Sequence, residues 1–148
     1  NKNEKEEHKM VGTKVTLRVR MSAGEAHYAG ELVNGSHILD FWGDVGTELA
    51  IRLHGDESLF LGYENVRFTA PVYAGDFMEY VGWIEKAGNS SLTCKFEAWK
   101  YITLPRDPKL AISAADVLKE KVLCGEATGT LVVKKEFQRG CMDPAFER

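Results

Sequence analysis

A chain of 148 residues, 44% hydrophobic and 28% charged, has length for one domain with one sizeable core and little room for a second. Its net charge of −3 provides no basic face for nucleic acid, so a polyanionic ligand must be met by a few placed Lys or Arg side chains. The three cysteines, Cys94, Cys124 and Cys141, form no CxxC pair, which removes the usual structural-zinc and dithiol patterns. Unpaired thiols fit a reducing cytoplasm, where the protein is expected to reside. No run approaches the ~18 apolar residues of a membrane span. Residues 1–10 are mostly charged and lack the apolar stretch of a signal peptide, so they are expected to form a disordered tail ahead of a single domain at 11–148.

Lys14 to Met21 alternates, with Val15, Leu17, Val19 and Met21 on one side, and predicts a half-buried strand. A loop of small residues follows from Ser22 to Gly30. A helix is expected from Leu32 or Asn34 to His54, stopped by Gly55-Asp56, with Ile38, Leu39, Trp42, Val45, Leu49 and Leu53 at helical spacing. Strand chemistry then takes over. A short apolar run covers Ser58 to Leu61, and Asn65 to Val72 carries Val66, Phe68 and Ala70 on one face, with Pro71 marking an edge or an end. Asp76 to Lys86 and Ser91 to Thr103 read as a hairpin about the turn Ala87-Gly88-Asn89-Ser90. Leu92, Cys94, Phe96 and Ala98 are its expected inward set. Pro105 to Pro108 breaks the pattern, Leu110 to Glu120 reads as a short helix, and Glu126 to Val133 as a last strand.

One long helix on one face of a mostly antiparallel sheet is an α+β layout. An open sheet leaves an edge strand to be paired, which predicts a homodimer or a larger homo-oligomer. Two segments resemble signatures of the hotdog superfamily of acyl-CoA enzymes, in which a curved sheet wraps a central helix. They are Gly30 to Gly46 at the helix start and Val66-Arg67-Phe68-Thr69-Ala70-Pro71-Val72-Tyr73-Ala74-Gly75-Asp76. From Met10 to about Arg139 the chain is similar to the 3-aminobutyryl-CoA and β-alanyl-CoA ammonia lyases of amino-acid fermentation. Met21-Ser22-Ala23, Leu32-Val33-Asn34-Gly35, Trp42 to Glu48, Gly82 to Lys86, Cys94 to Lys100 and Leu123-Cys124-Gly125 carry that likeness. It implies reversible elimination of ammonia from a short 3-aminoacyl-CoA, 3-aminobutyryl-CoA giving crotonyl-CoA. The catalytic Asp of common acyl-CoA thioesterases aligns with Gly43, one residue before Asp44, which argues against hydrolysis.

On a helix turning ~100° per residue, His37, Asp44 and Glu48 fall on one narrow stripe about 130° from the apolar set. A sheet that wraps the helix would turn this stripe toward a cleft or a dimer seam. The implied reaction needs a base for the proton beside the thioester and an anchor for the ammonium, and two carboxylates supply both. Asp44 and Glu48 are the candidates, with His37 as a third catalytic group. Asn34 and Gly35 begin the helix, where free N–H groups offer an oxyanion site to the thioester. His27 and Tyr28, in the preceding loop, are candidates to bind substrate. Tyr28 and Phe41, with Trp42 or Trp83, give bulk that favours three- or four-carbon acyl groups. Lys134, Lys135 and Arg139 form a late basic cluster suited to CoA phosphates. No metal-ligand spacing and no nucleotide loop occurs, so neither a metal nor a cofactor is expected beyond the CoA of the substrate. An acyl-CoA thioesterase, an enoyl-CoA hydratase and a non-catalytic acyl binder are the alternatives; two carboxylates in a pocket would gain the last nothing.

Overall fold

A single long helix lies against a five-stranded sheet in which every neighbouring pair is antiparallel. The computed structural model of the chain describes residues 9–146. The strands are β1 (Val15–Arg20), β2 (Leu59–Phe68), β3 (Phe77–Ala87), β4 (Ser91–Thr103) and β5 (Asp116–Val132), and the helix is α1 (Gly35–His54). Their order across the sheet is β1-β3-β4-β5-β2, so β1 and β2 are the edges.

The alternation in the sequence becomes the core. Met78, Tyr80 and Ile84 on β3, Leu92, Cys94, Phe96 and Ala98 on β4, and Ala127 and Leu131 on β5 are buried against Ile38, Trp42, Val45, Leu49 and Leu53 of α1. These are the inward residues that strand and helix periodicity select. Trp42 is fully buried and donates its indole N–H to Glu97 O at 3.0 Å, satisfying its one polar atom. The helix stops where Gly55 turns left-handed (φ 66°), its N–H bonding Ile51 O at 2.7 Å. That conformation suits a residue without Cβ.

The fold departs from the sequence expectations in four places. Leu110 to Glu120 forms no helix: turns cover 107–114 and β5 begins at Asp116. Leu110, Ile112 and Val117 are exposed, so a helix here has no face to bury, whereas strand pairing of Val117 with Ile102 extends the hairpin. The two short apolar runs at 58–61 and 65–72 are one strand, ending at Phe68. It is broken by irregularities between Phe60 and Gly62 and between Glu64 and Arg67, with Asn65 at φ 54° in the second, a conformation Asn tolerates. Met10, assigned by sequence to the tail, is fully buried in the core; residues 1–8 of that segment lie outside the described residues. Trp83 sits on the sheet face opposite the helix, with Lys14 Nζ 5.1 Å above its ring, and adds no bulk near the helix start.

Candidate active site

The start of α1 opens beside a cleft of about 350 Å³ lined by Tyr28, Leu32, Gly35, Ile38, Phe68 and Pro71, among others. One wall is the loop before the helix. Leu32 bridges both Tyr28 and Tyr73, and Val33 N–H bonds Val72 O at 2.8 Å. The other wall, residues 68–72, runs into a turn held from beneath by Asp76. This carboxylate is completely buried and accepts from the Tyr73 N–H (2.8 Å) and the Thr103 hydroxyl (2.6 Å). Lys100 Nζ stands 3.0 Å from it and donates to Pro71 O at 2.7 Å. A buried carboxylate persists only when paired and hydrogen-bonded, and here its partner Lys100 carries the support to Pro71, which lines the cleft. The sequence reading valued this segment only as a fold signature, yet its Gly-Asp is what shapes the cleft.

The helix start matches expectation in backbone but not in side chain. Asn34 is the N-cap residue, but its amide donates to Ser36 Oγ and makes no capping bond. The N–H groups of the first turn therefore keep their outward polarity, with the positive end of the helix dipole behind them. Gly35 leaves room for the Phe68 ring: a Cβ there would stand 2.5 Å from it, so the ring would have to move. Half-exposed Phe68 thus roofs the helix start.

Asp44 and Glu48 do share a stripe with His37, but the stripe is not enclosed by the sheet. Five strands cover one side of α1, and both carboxylates face outward, exposed. Glu48 accepts a hydrogen bond from Arg52 Nε at 2.9 Å, and Arg52 also meets the buried Asp143 at 3.1 Å. No cation among the described residues stands at ion-pair distance from Asp44. His37 turns to Glu25 and Asp40 rather than to Asp44 or Glu48, its two ring nitrogens 3.3 and 3.4 Å from their oxygens. Glu25, in the loop, was not singled out in the sequence: no spacing rule ties a loop acid to a helical histidine twelve residues on.

Of the two loop candidates, Tyr28 lines the cleft and His27 does not; His27 is exposed, its ring 5.4 Å from that of Tyr28. The basic cluster lies at the opposite end of the helix. Arg139 bonds Gly55 O (3.2 Å), Lys135 bonds Asn89 (3.2 Å), and Lys134 stands over Phe137. Twenty helical residues, about 30 Å of rise, separate that end from the cleft. Burial pushes the Cys94 thiol up to about 12 and the Cys124 thiol to about 11, so neither is a thiolate nucleophile near neutrality. Among the described residues, no three His, Cys, Asp or Glu side chains are grouped to hold a metal ion.

Comparison with known proteins adds to this geometry. The thioesterase superfamily matches residues 30–103. A 3-aminobutyryl-CoA ammonia lyase of Acetoanaerobium sticklandii is 48% identical over 126 residues, covering 85% of this chain and 98% of the relative. The structure of β-alanyl-CoA:ammonia lyase from Clostridium propionicum superposes with a TM-score of 0.87 at 55% identity, over 93% of this chain and 96% of that one. A hexameric hotdog-fold thioesterase of Campylobacter jejuni shares the fold, with a TM-score of 0.65 at 16% identity over 88% and 90% of the two chains.

Proposed function

Since the chain belongs to the hotdog-fold ammonia lyases of short 3-aminoacyl-CoA thioesters, we propose that it interconverts 3-aminobutyryl-CoA with crotonyl-CoA and ammonia. The enzyme is a carbon–nitrogen lyase. In the elimination direction a base removes the proton beside the thioester carbonyl, the C–H electron pair forms the new double bond, and the C–N pair leaves with nitrogen. Charge gathers on the thioester oxygen as the proton departs. The uncapped first turn at Gly35 and Ser36 supplies N–H donors and dipole for that charge.

Because Glu48 is already matched to Arg52, our reading gives proton removal to Asp44, which has no cation partner among the described residues. Glu48, one turn further along the same face, then serves the ammonium end; His37, eleven residues before Glu48 and about 16 Å from it along the axis, reaches that end only from a second copy of the chain. Asp44 lies nine residues beyond Gly35, about 13 Å along the axis and half a turn round the helix. One chain therefore cannot bring its own Asp44 and its own helix start to a single thioester. That separation is the observation on which the shared-site reading rests: the carboxylates of one protomer face the cleft of a second copy. The exposed Leu59, Leu61 and Phe68 of edge strand β2 are suited to the pairing. The same pairing is needed for Lys134, Lys135 and Arg139 to reach CoA phosphates. A role in amino-acid fermentation in the cytoplasm completes the proposal.

The three-carbon β-alanyl-CoA is the second reading, favoured by the higher identity, 55% against 48%, to the lyase that bears its name. One methyl group is worth only about 1–3 kcal/mol in an apolar pocket. The test offers the purified protein crotonyl-CoA and acrylyl-CoA with and without ammonium. Loss of enoyl absorbance only with ammonium is expected. Loss without ammonium means a hydratase, and release of free thiol means a thioesterase. A monodisperse, active monomer would end the shared-site reading.

A further inference from the structure

Away from the cleft, the first turn of α1 holds a second polar cluster. His37 Nε2 stands 3.3 Å from Glu25 Oε2, and His37 Nδ1 stands 3.4 Å from Asp40 Oδ2. The two flanking acids differ in setting: the Asp40 side chain is 77% exposed and that of Glu25 only 24%. Glu25 Oε2 and His37 Nε2 are both closed off from solvent, and neither makes an aligned hydrogen bond to any described residue, the other included. At 3.3 Å a small turn of the ring aligns the two, and that turn is favoured because stranding either buried atom costs its full desolvation. The imidazole also meets Phe41 edge-on at 4.9 Å, and Phe41 stacks at 4.5 Å on the buried Tyr80. The ring is thus clamped by a carboxylate on one side and an aromatic pair on the other.

We propose that Glu25 is a positioning residue for His37: it takes the Nε2–H and so fixes the tautomer whose Nδ1 faces outward, beside the stripe that carries Asp44 and Glu48. A histidine's free nitrogen is set by the bond its other nitrogen makes. The proposal rests on the ammonia-lyase reading for what the outward nitrogen does. Ammonium must lose a proton before its nitrogen can attack the enoyl group. Nδ1 accepts that proton, the N–H electron pair remaining on ammonia, and returns it when elimination runs the other way. Asp40, on the same helix, neutralises the imidazolium at its solvent side. From the loop Glu25 does so at its buried side; Tyr80 of β3, its hydroxyl kept protonated by burial, stands behind Phe41.

The test labels the histidines of the full chain with nitrogen-15 and compares the wild type with Glu25→Ala and Glu25→Gln. In the wild type, the neutral His37 ring should carry its proton on Nε2. In Glu25→Ala the two tautomers should mix, and kcat for ammonium addition should fall about 10–100-fold, as for other carboxylates that orient a working histidine. KM for crotonyl-CoA should hold. In Glu25→Gln the amide oxygen keeps the tautomer, but the acidic limb of kcat moves to lower pH, because the imidazolium has lost a neighbouring charge. This second variant keeps the proposal testable if the alanine variant fails to fold. An unchanged tautomer in Glu25→Ala overturns the proposal whatever the rate. A mixed tautomer with wild-type kcat and pH profile overturns its catalytic part. A wild type without ammonium-dependent turnover defeats the lyase reading instead, while the tautomer comparison still decides what Glu25 does.

Discussion

The two ends of α1 are built on opposite plans. At the C-terminal end every device for closing a helix is in use. Gly55 caps it, the Arg139 N–H bonds His54 O at 2.8 Å, the Met142 N–H bonds Arg52 O at 2.7 Å, and Arg52 pairs with Asp143. The carbonyls of Ile51, Arg52 and His54 are satisfied, and a basic last turn complements the dipole. At the N-terminal end Asn34 spends its side chain on Ser36, no acid stands in the first turn, and Phe68 alone lies over Gly35. Polar backbone left without partners costs stability. The contrast separates the two ends: one is finished for stability, and the other leaves backbone donors open, which the proposed function uses to bind the thioester.

The sharpest test is to remove the proposed base. Asp44→Asn should lower turnover by a factor on the order of 10²–10⁴, the usual worth of a general base. The melting temperature should hold, because Asp44 is exposed. Wild-type turnover in this variant would make the stripe a solvated face and return the open end to mere structure.

Next in size is the support beneath the cleft. Lys100→Met leaves Asp76 buried without its cation, a change that costs roughly 3–5 kcal/mol in comparable buried pairs. Chemical denaturation should show the loss directly. A shift below 1 kcal/mol would mean that Asp76 is held by its hydrogen bonds to Tyr73 and Thr103 alone.

Gly35→Ala sharpens the comparison at the helix start itself. The new methyl must displace the Phe68 ring, which is 53% exposed and can swing outward, so the stability cost should stay near ~1 kcal/mol. The cleft roof moves with it. kcat/KM for crotonyl-CoA should fall several-fold while Gly55→Ala, at the closed end, should lower stability and spare kcat/KM.

The smallest effect is a pH dependence of the closed end. Burial, with Lys135 adding to it, lowers the pKa of His54 from its ordinary value of 6.5. The unfolded chain therefore binds a proton more readily than the native one, and stability rises with pH through this window. The His54 contribution is complete above about 6.5 and drains away as pH falls toward the native value. Melting temperatures between pH 7.5 and 5 should decline less in His54→Gln than in the wild type. Equal slopes would show that His54 takes no part.

Much of the fold was legible because it depends on local period. Alternation along 91–103 named Leu92, Cys94, Phe96 and Ala98 as inward, and the 3.6-residue spacing of Ile38, Trp42, Val45 and Leu49 named the buried face of α1; all are buried. The stripe of Asp44 and Glu48 was legible for the same reason, and so was Gly55 as the stop. Sequence determined these features because each is fixed by neighbours within a turn or a strand. Tertiary structure alone decided the rest. It made 116–132 a strand, since pairing with β4 outweighs the local pattern. It set Glu25 against His37, carried Lys134, Lys135 and Arg139 to the far end of the helix, and showed that, among the described residues, only Glu48 of the two carboxylates meets a cation. It also placed Phe68 over Gly35 and Lys100 under Asp76, contacts between residues more than twenty positions apart, whose meeting depends on how the strands pair and where the helix docks.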